Sequence, residues 1–87
     1  MSKGSIQIHV KLYALLRQYR PETAVGLPHH PFTLTLPPNT TIAGLAHHLG
    51  IPDGFVNAAA VNKTAVSPTT PLNDGDEVSL FPPAAGG

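Results

Sequence analysis

Large aliphatic side chains alternate with polar ones near the start of the chain. They occupy every second position of one stretch: Ile6, Ile8, Val10 and Leu12. A period of two is typical of a strand that buries one of its faces. The alternation then stops, and residues 14–19 are predicted to form a helical turn or short helix that closes at Arg20-Pro21, because proline does not continue a helix.

Two further patterns predict a second strand and a short helix. The run FTLTL at residues 32–36 alternates again, and Pro37 ends it. Apolar residues then recur at helical spacing on one face: Ile42, Leu45, Ala46 and Leu49. Residues 39–41 offer N-cap oxygens, and Gly50 suits the left-handed residue that follows a helix. We interpret Gly44, inside the helix, as the place where it packs closely against the sheet.

Shorter segments complete the pattern. Three more strands are predicted over residues 55–61, 64–66 and 77–81. Asn62-Lys63 can form a tight turn between the first two of these strands, and residues 73–76 are a strong turn signal before the last one. We expect Leu72 to enter the core from a turn, and Val78 and Leu80 to face inward.

The order of these elements indicates the α+β class, with a mixed sheet of four to five strands and one main helix on one face. No internal repeat or second domain is visible, so residues 1–87 are predicted to form one domain. The connection over residues 21–31 is long for a hairpin. We expect it to be exposed and mobile.

The composition describes a small, weakly charged protein. Its 87 residues are 41% hydrophobic and 11% charged, with a formal net charge of zero. The basic residues are scattered, which argues against nucleic acid as a partner, because phosphate binding needs clustered Lys and Arg. The chain has no cysteine, which excludes disulfides and thiolate chemistry. No secretory signal or apolar run of about 20 residues is present, so we expect a cytoplasmic protein without membrane contact.

The last residues carry the strongest functional signal. The chain ends in Ala84, Ala85, Gly86 and Gly87, directly after Phe81-Pro82-Pro83. Glycine has no Cβ, so residues 82–87 are predicted to be a flexible tail whose end can enter a narrow channel of another protein. The group delivered there would be the α-carboxyl of Gly87, which makes the protein a reagent for other enzymes rather than an enzyme. The alternative is a frayed terminus of small residues.

Phe81 is predicted to be exposed at the base of the tail. Side chains of a strand alternate between its two faces, and Phe81 falls on the face opposite to Val78 and Leu80. We interpret it, with Pro82 and Pro83, as a docking anchor for a partner, since aromatic side chains are enriched at binding hot spots. The alternative is that Phe81 packs under a loop.

Three other groups of residues have side chains that could form a site. The pairs at residues 29–30 and 47–48 are histidines, but without a carboxylate at ligand spacing they are better explained as surface residues than as a metal site. Asp74, Asp76 and Glu77 are interpreted as a solvated turn rather than a catalytic pair. Ser67 has no identified general base, so nucleophilic catalysis has no support.

Several segments together resemble the MoaD/ThiS family of ubiquitin-like sulfur carriers, and most closely its branch of molybdopterin synthase small subunits. The segments are LYALLR at residues 12–17, AAVNKT at 59–64, PLNDGDEV at 71–78 and FPPAAGG at 81–87. The resemblance implies a β-grasp fold, in which the first and last strands lie parallel at the centre of the sheet. The short helix and the long first connection depart from that branch.

The resemblance also implies a chemistry for the tail. In this family an adenylating enzyme of the ubiquitin-activating type uses ATP to convert the terminal carboxyl, here of Gly87, to an acyl-adenylate. A persulfide then supplies sulfur, which leaves a thiocarboxylate for a sulfur-accepting enzyme such as a molybdopterin synthase large subunit. No cofactor would be bound by the carrier itself. Thiamine, thiolated tRNA or cysteine synthesis could receive the sulfur instead, and a ubiquitin-like modifier joined to lysines through Gly87 is a different class of function.

Overall fold

The first and last strands of the chain lie side by side at the centre of a mixed sheet. Within residues 4–27 and 29–83, which the computed structural model describes, the sheet has five strands: β1 (Ile6–Leu12), β2 (Phe32–Leu36), β3 (Ala58–Val61), β4 (Thr64–Val66) and β5 (Glu77–Phe81). Their order across the sheet is β2-β1-β5-β3-β4. β1 and β5 are parallel, and every other pair is antiparallel. The predicted α+β class and the β-grasp arrangement of the central strands are confirmed.

The alternating side chains of β1 and β5 form the centre of the core. All four predicted inward positions of β1 are buried, and so are Val78 and Leu80. Leu72 reaches the same core from its turn, as predicted, and is 2% exposed. Residues of this cluster that are buried elsewhere in the chain are Leu16, Phe32, Leu36, Ile42, Leu45, Ile51 and Ala59. The apolar area buried between this face of the sheet and the segments that cover it stabilises the fold.

A 3₁₀-helix (Ala14–Tyr19) follows β1 and closes one end of the core. Leu16 is fully buried there, and the helix ends at Arg20, whose backbone returns to an extended conformation. The predicted helical turn over residues 14–19 is therefore confirmed. Short 3₁₀-helices are common as connectors, and this one links β1 to the connection that leads to β2.

The main helix, α1 (Ile42–His48), begins at the predicted N-cap. Thr41 Oγ1 accepts a hydrogen bond of 3.1 Å from the Gly44 N–H, and Ile42 and Leu45 point into the core. Gly50 has a φ of +80°, which confirms the predicted left-handed residue after the helix. No helix within the described residues has the length and apolar character that a membrane crossing requires.

The prediction that Gly44 packs against the sheet is wrong. A Cβ at this position would lie 3.1 Å from Thr40 Cγ2 and 3.5 Å from Thr41 Oγ1. Glycine therefore leaves room for the two threonines at the start of α1. The close approach is thus between Gly44 and the threonines that cap the same helix. The spacing of apolar residues in the sequence could not indicate this contact.

The third strand is shorter than predicted. It begins at Ala58 rather than at residue 55, because the Phe55 N–H donates to the Pro52 carbonyl in a turn and Phe55 remains 43% exposed. The tight turn after it is confirmed: Asn62 and Lys63 have φ angles of 51° and 72° and join β3 to β4. Two positive φ angles match the right-handed twist of a two-residue hairpin.

The acidic turn before β5 is partly buried, so the prediction of a solvated turn is wrong for Asp76. This residue is 8% exposed, and its carboxylate accepts hydrogen bonds from Asn62 Nδ2 at 3.1 Å and from the Asn73 N–H at 2.8 Å. Asp74 Oδ1 accepts from the Gln7 N–H at 2.7 Å. The turn therefore joins β1, the β3–β4 hairpin and β5 at the end of the sheet opposite the tail.

Candidate functional site

The C-terminal tail leaves the sheet at the end where both central strands finish. β5 ends at Phe81, and the Asn57 N–H donates to the Phe81 carbonyl at 2.8 Å, so the base of the tail is fixed beside β3. Pro82 is half-buried and Pro83 is exposed. The predicted access residues and carboxyl-bearing residue, Ala84, Ala85, Gly86 and Gly87, lie outside the described residues. Because each proline fixes its own φ, Pro82 and Pro83 limit the directions in which the tail can leave.

Phe81 lies on the sheet face opposite α1, as its parity predicts. The prediction that it is exposed is only partly correct, since the side chain is half-buried against Tyr13. The two ring centroids are 4.5 Å apart, with an interplanar angle of 26°. The Tyr13 N–H donates to the Leu80 carbonyl at 3.2 Å, which extends the parallel ladder by one residue and brings the two rings together. Phe81 thus packs against Tyr13. This differs from the alternative prediction, in which Phe81 packs under a loop.

The aromatic stack borders a sheet face made mostly of small or polar side chains. Lys11 Nζ lies 5.2 Å from the centroid of the Tyr13 ring, within the range of a cation–π contact. Ser79 and Ala60 are directly paired beside it, and Ala58 is paired with Phe81. Because these neighbouring side chains are small, the Tyr13 and Phe81 rings are the largest apolar groups on this part of the sheet face. A flat surface with one aromatic pair is suited to contact with another protein.

Large apolar side chains are also exposed around the same end of the molecule. The most exposed ones among the described residues are Leu15, Val25, Leu27 and Phe55. All four belong to segments at this end: the 3₁₀-helix after β1, the connection before β2 and the segment before β3. The opposite end, with the acidic turn and the Asn62-Lys63 hairpin, carries none of them. The exposed large apolar side chains are therefore concentrated at the end of the molecule where the tail begins.

The histidine pairs and Ser67 lie on the surface of the protein. His29 and His30 are exposed and contact each other edge to face, with ring centroids 4.6 Å apart, and His47 and His48 are exposed in the last turn of α1. Ser67 is exposed and hydrogen-bonds Thr69 and Thr70. Across the part of the chain that the structure describes, no group of three or more His, Asp or Glu side chains is placed to hold one metal ion.

Tyr13 is the residue of this site that sequence reasoning missed. The sequence did contain a signal for it. Side chains of β1 alternate between the two faces, and Tyr13, directly after the buried Leu12, follows His9 and Lys11 on the outward face. Its significance depends on the parallel pairing of β1 with β5, in which Leu12 lies opposite Leu80. Once that register is known, Tyr13 and Phe81 must be neighbours on the outer face.

Comparison with known proteins identifies the family. The sequence profile of the ThiS family matches residues 10–87. Over 39 residues the chain is 56% identical to the molybdopterin synthase sulfur carrier subunit of Escherichia coli, an alignment that covers 45% of this chain and 47% of the relative. The matched region therefore spans about half the length of that curated relative.

Solved structures support the same fold. The HVO 2177 protein of Haloferax volcanii superposes with a TM-score of 0.74 and 21% identity, covering 100% of this chain and 92% of the other. A complex of subunits 1 and 2 of the molybdopterin-converting factor from Helicobacter pylori contains a chain with a TM-score of 0.54 and 24% identity, covering 94% of this chain and 100% of the other. Since the profile match covers most of the sequence, including its final residues, the chain belongs to the ThiS family.

Proposed function

We propose that this protein is a sulfur carrier that donates sulfur as a thiocarboxylate formed on Gly87. The observation that carries the proposal is that the ThiS family match extends to the terminal Gly86-Gly87. The proposal is also supported by a central strand that ends beside the stiff Pro82-Pro83 pair. A carrier of this kind is a co-substrate of its partner enzymes and needs no catalytic residue of its own.

The chemistry requires activation because a carboxylate is a poor electrophile. An adenylating partner of the ubiquitin-activating type would transfer AMP from ATP to the Gly87 carboxylate and release pyrophosphate. The terminal sulfur of a persulfide would then displace AMP and form a C–S bond to the Gly87 carbonyl carbon. A thiol would cleave the S–S bond that came with the persulfide, which leaves the thiocarboxylate and a disulfide between the two thiol groups. The product is an anionic nucleophile at neutral pH, and it can attack an electrophilic carbon in the active site of a second partner.

The tail has the dimensions for this exchange. Four residues beyond Pro83, fully extended, reach at most roughly 14 Å at 3.3–3.6 Å per residue. Ordering a flexible backbone costs about 1–2 kcal/mol per residue, so fixed proline φ angles at the base reduce the entropy that binding must overcome. The tail can therefore enter a partner's pocket while the folded domain remains at its mouth.

We propose that the sulfur acceptor belongs to molybdopterin biosynthesis, with a molybdopterin synthase large subunit as the receiving enzyme. Support comes from the 56% identity to the E. coli sulfur carrier over 39 residues and from the Helicobacter pylori complex, which pairs a similar chain with a second subunit. Acceptors in thiamine, tRNA thiolation or cysteine synthesis use the same tail chemistry. A protein modifier would use the same activated carboxyl but join it to a lysine amine.

The proposal is tested by intact-mass spectrometry of the protein co-expressed with its cognate adenylating enzyme and a persulfide source. We expect a mass gain equal to the replacement of one oxygen by sulfur, located on Gly87. Unmodified protein in the presence of an active adenylating enzyme would refute the carrier function. Lysine-linked conjugates without thiocarboxylate would instead assign the protein to the modifier class.

The stack of Tyr13 and Phe81 is proposed to dock the domain on its partners while the tail is inserted. Replacing Phe81 by alanine should weaken binding of the large subunit by about tenfold or more, because truncating an aromatic hot-spot residue costs about 2 kcal/mol or more and about 1.4 kcal/mol already corresponds to tenfold. The measurement is a calorimetric titration with the large subunit. Because the stack also contributes to folding, the melting temperature of each variant should be measured alongside.

The matched control for Phe81→Ala is Tyr13→Phe, which keeps both rings and removes only a hydroxyl. It should bind nearly as well as the unchanged protein. If Phe81→Ala bound the large subunit with unchanged affinity, the stack would be a structural feature of the sheet and not a docking anchor.

A further inference from the structure

β2 is an edge strand of the sheet, so one side of its backbone has no neighbouring strand. The His9 N–H donates to the Asp76 carbonyl at 2.9 Å, on the β5 side of β1. Because backbone groups of successive strand residues point to alternate sides, the even-numbered residues of β1 face β2. In the register of this antiparallel pair, even-numbered residues of β2 lie opposite them and face β1 in return. The N–H and C=O groups of Thr33 and Thr35 therefore point away from the sheet.

The outward backbone groups of Thr33 and Thr35 have no hydrogen-bond partner among the described residues. Both threonines are exposed. The next residues in the same alternation, Pro31 and Pro37, have no N–H to offer. The free edge therefore has N–H donors at the two threonines and stops at a proline on both sides. A further β-strand is the element that pairs with such a row of donors and acceptors.

A second copy of the same strand fits this edge through a two-fold axis beside Leu34. In an antiparallel pair, the axis places Thr33 opposite Thr35 of the second copy, and Thr35 opposite its Thr33. Each facing pair exchanges both N–H···O=C bonds, so the outward groups of both threonines are satisfied. A register shifted by two residues would set a threonine opposite Pro31 or Pro37 and lose a bond in each such pair. The prolines therefore favour this one register.

Leu34 adds apolar contact to this pairing. Phe32 and Leu36 are buried, at 5% and 2% exposed, whereas Leu34 between them is only half-buried on the same face of β2. In the symmetric pair the two copies of Leu34 lie directly opposite each other at a non-hydrogen-bonded position, where side chains approach most closely. The pairing would thus remove apolar surface from water at the centre of the contact.

Charge does not oppose the pairing of two copies. The sequence of β2, FTLTL, contains no charged residue, and the formal net charge of the chain is zero. Proteins commonly protect an edge strand with lysine or with an inward-pointing charge, and β2 has neither. A net charge near zero also favours association. The opposite edge strand, β4, is only three residues long, and short edges resist pairing.

We propose that two copies of this chain pair through β2 into one continuous sheet, in the antiparallel register centred on Leu34. The self-complementarity of the edge favours a second copy over an unrelated peptide. The dimer is weak, because a five-residue edge is small compared with the surface that stable complexes bury. Pairing leaves Tyr13 and Phe81 uncovered, since β1 and β5 keep their neighbours, and it does not depend on the proposed sulfur chemistry. The two β5 strands end at opposite ends of the dimer, because the axis reverses the strand direction.

Amide hydrogen exchange, measured by NMR, tests this pairing without any substitution. As the protein concentration rises, exchange at Thr33 and Thr35 should slow, and the mass measured by sedimentation equilibrium should approach twice that of the monomer. The Leu34 amide is the internal control, because it faces β1 in both states and its exchange should change little. A monomer at every concentration would overturn the proposal. Protection of the two threonine amides only after a different protein is added would assign the edge to a foreign strand instead.

Two double variants at these exposed positions test the register. Thr33→Glu/Thr35→Lys places opposite charges across both facing pairs and should dimerise at least as tightly as the unchanged protein. Thr33→Glu/Thr35→Glu places like charges across both pairs, and its dimer Kd should rise by about twofold to thirtyfold. Sedimentation equilibrium at low ionic strength gives each Kd, since salt screens exposed charges. The melting temperature of each variant shows that it is folded.

Thr64→Glu/Ala65→Glu is the matched control, because it adds the same charge to exposed positions of β4, at the other edge of the sheet. Its dimer Kd should stay close to that of the unchanged protein. An equal rise in Kd for this control would attribute the effect to net charge and overturn the assignment to β2. Equal Kd values for the two β2 variants would show that Thr33 does not face Thr35 of the second copy, which would overturn the register.

Discussion

A chain that lacks Gly87 should form no functional thiocarboxylate and support no sulfur transfer, yet it should fold as well as the complete chain. The deletion shortens the tail by one residue, about 3.3–3.6 Å, so the new terminal carboxyl stops short of the reacting atoms in both partners. Misplacement of a reacting group by even about 1 Å can cost roughly a hundredfold in rate. Among the residues that the structure describes, the core extends from Ile6 to Leu80, and glycine has no side chain, so the deletion should remove no core side chain.

Two measurements check this expectation: intact mass after co-expression with the adenylating enzyme, and thermal unfolding of the purified protein. Ala84→Ser is the matched control, because it changes the tail but keeps its length and terminal carboxyl. Thiocarboxylate formation and transfer at the rate of the complete chain would contradict a role for Gly87. A large fall in melting temperature would show that the terminal residue belongs to the folded structure.

Among the substitutions proposed for this protein, Leu80→Ala should lower the free energy of unfolding the most. Leu80 is fully buried in β5, opposite Leu12 on one side and Ala59 on the other. Deleting a buried leucine side chain costs about 2–5 kcal/mol, because transfer free energy is lost and a cavity remains. A domain of this size is stable by roughly 5–15 kcal/mol, so the variant should be close to unfolding at physiological temperature. Urea denaturation gives the free energy of unfolding directly.

Ser79→Ala is the matched control in the same strand. Ser79 is half-buried on the outer face, opposite Lys11 and Ala60, and its removal should change the free energy of unfolding by less than about 1 kcal/mol. Similar losses for the two variants would mean that the two faces of β5 contribute equally. That result would contradict a core that lies on one side of the sheet.

The central part of the fold follows from the sequence because its pattern is strong and periodic. In β1, the alternation from Ile6 to Leu12 specifies both the strand and its buried face, and Thr41 specifies where α1 begins. The three alanines of β3 lack this information, since a run of identical small side chains has no period. For that reason the predicted strand began too early, at Phe55, which the structure leaves outside the sheet.

Contacts between distant parts of the chain could not be predicted from periodicity. The burial of Asp76 depends on Asn62, which follows β3 in sequence and meets the turn only through the pairing of β3 with β5. The stack of Phe81 on Tyr13 likewise requires the parallel register of β1 and β5. For the candidate site, the sequence therefore indicated the tail and Phe81, while the position of Tyr13 beside Phe81 required the three-dimensional arrangement.

The parallel pairing of β1 and β5 has a practical consequence for handling this protein. β1 starts at one pole of the molecule and β5 finishes at the other, about 20 Å away at 3.2–3.4 Å per strand residue. A purification tag or fluorescent dye attached ahead of β1 is thus at the pole opposite Phe81, where the tail begins. Immobilising the protein by its N-terminal pole leaves the opposite pole accessible to both proposed partner enzymes. A C-terminal extension, in contrast, would turn the Gly87 carboxyl into an amide, which the proposed adenylation could not use.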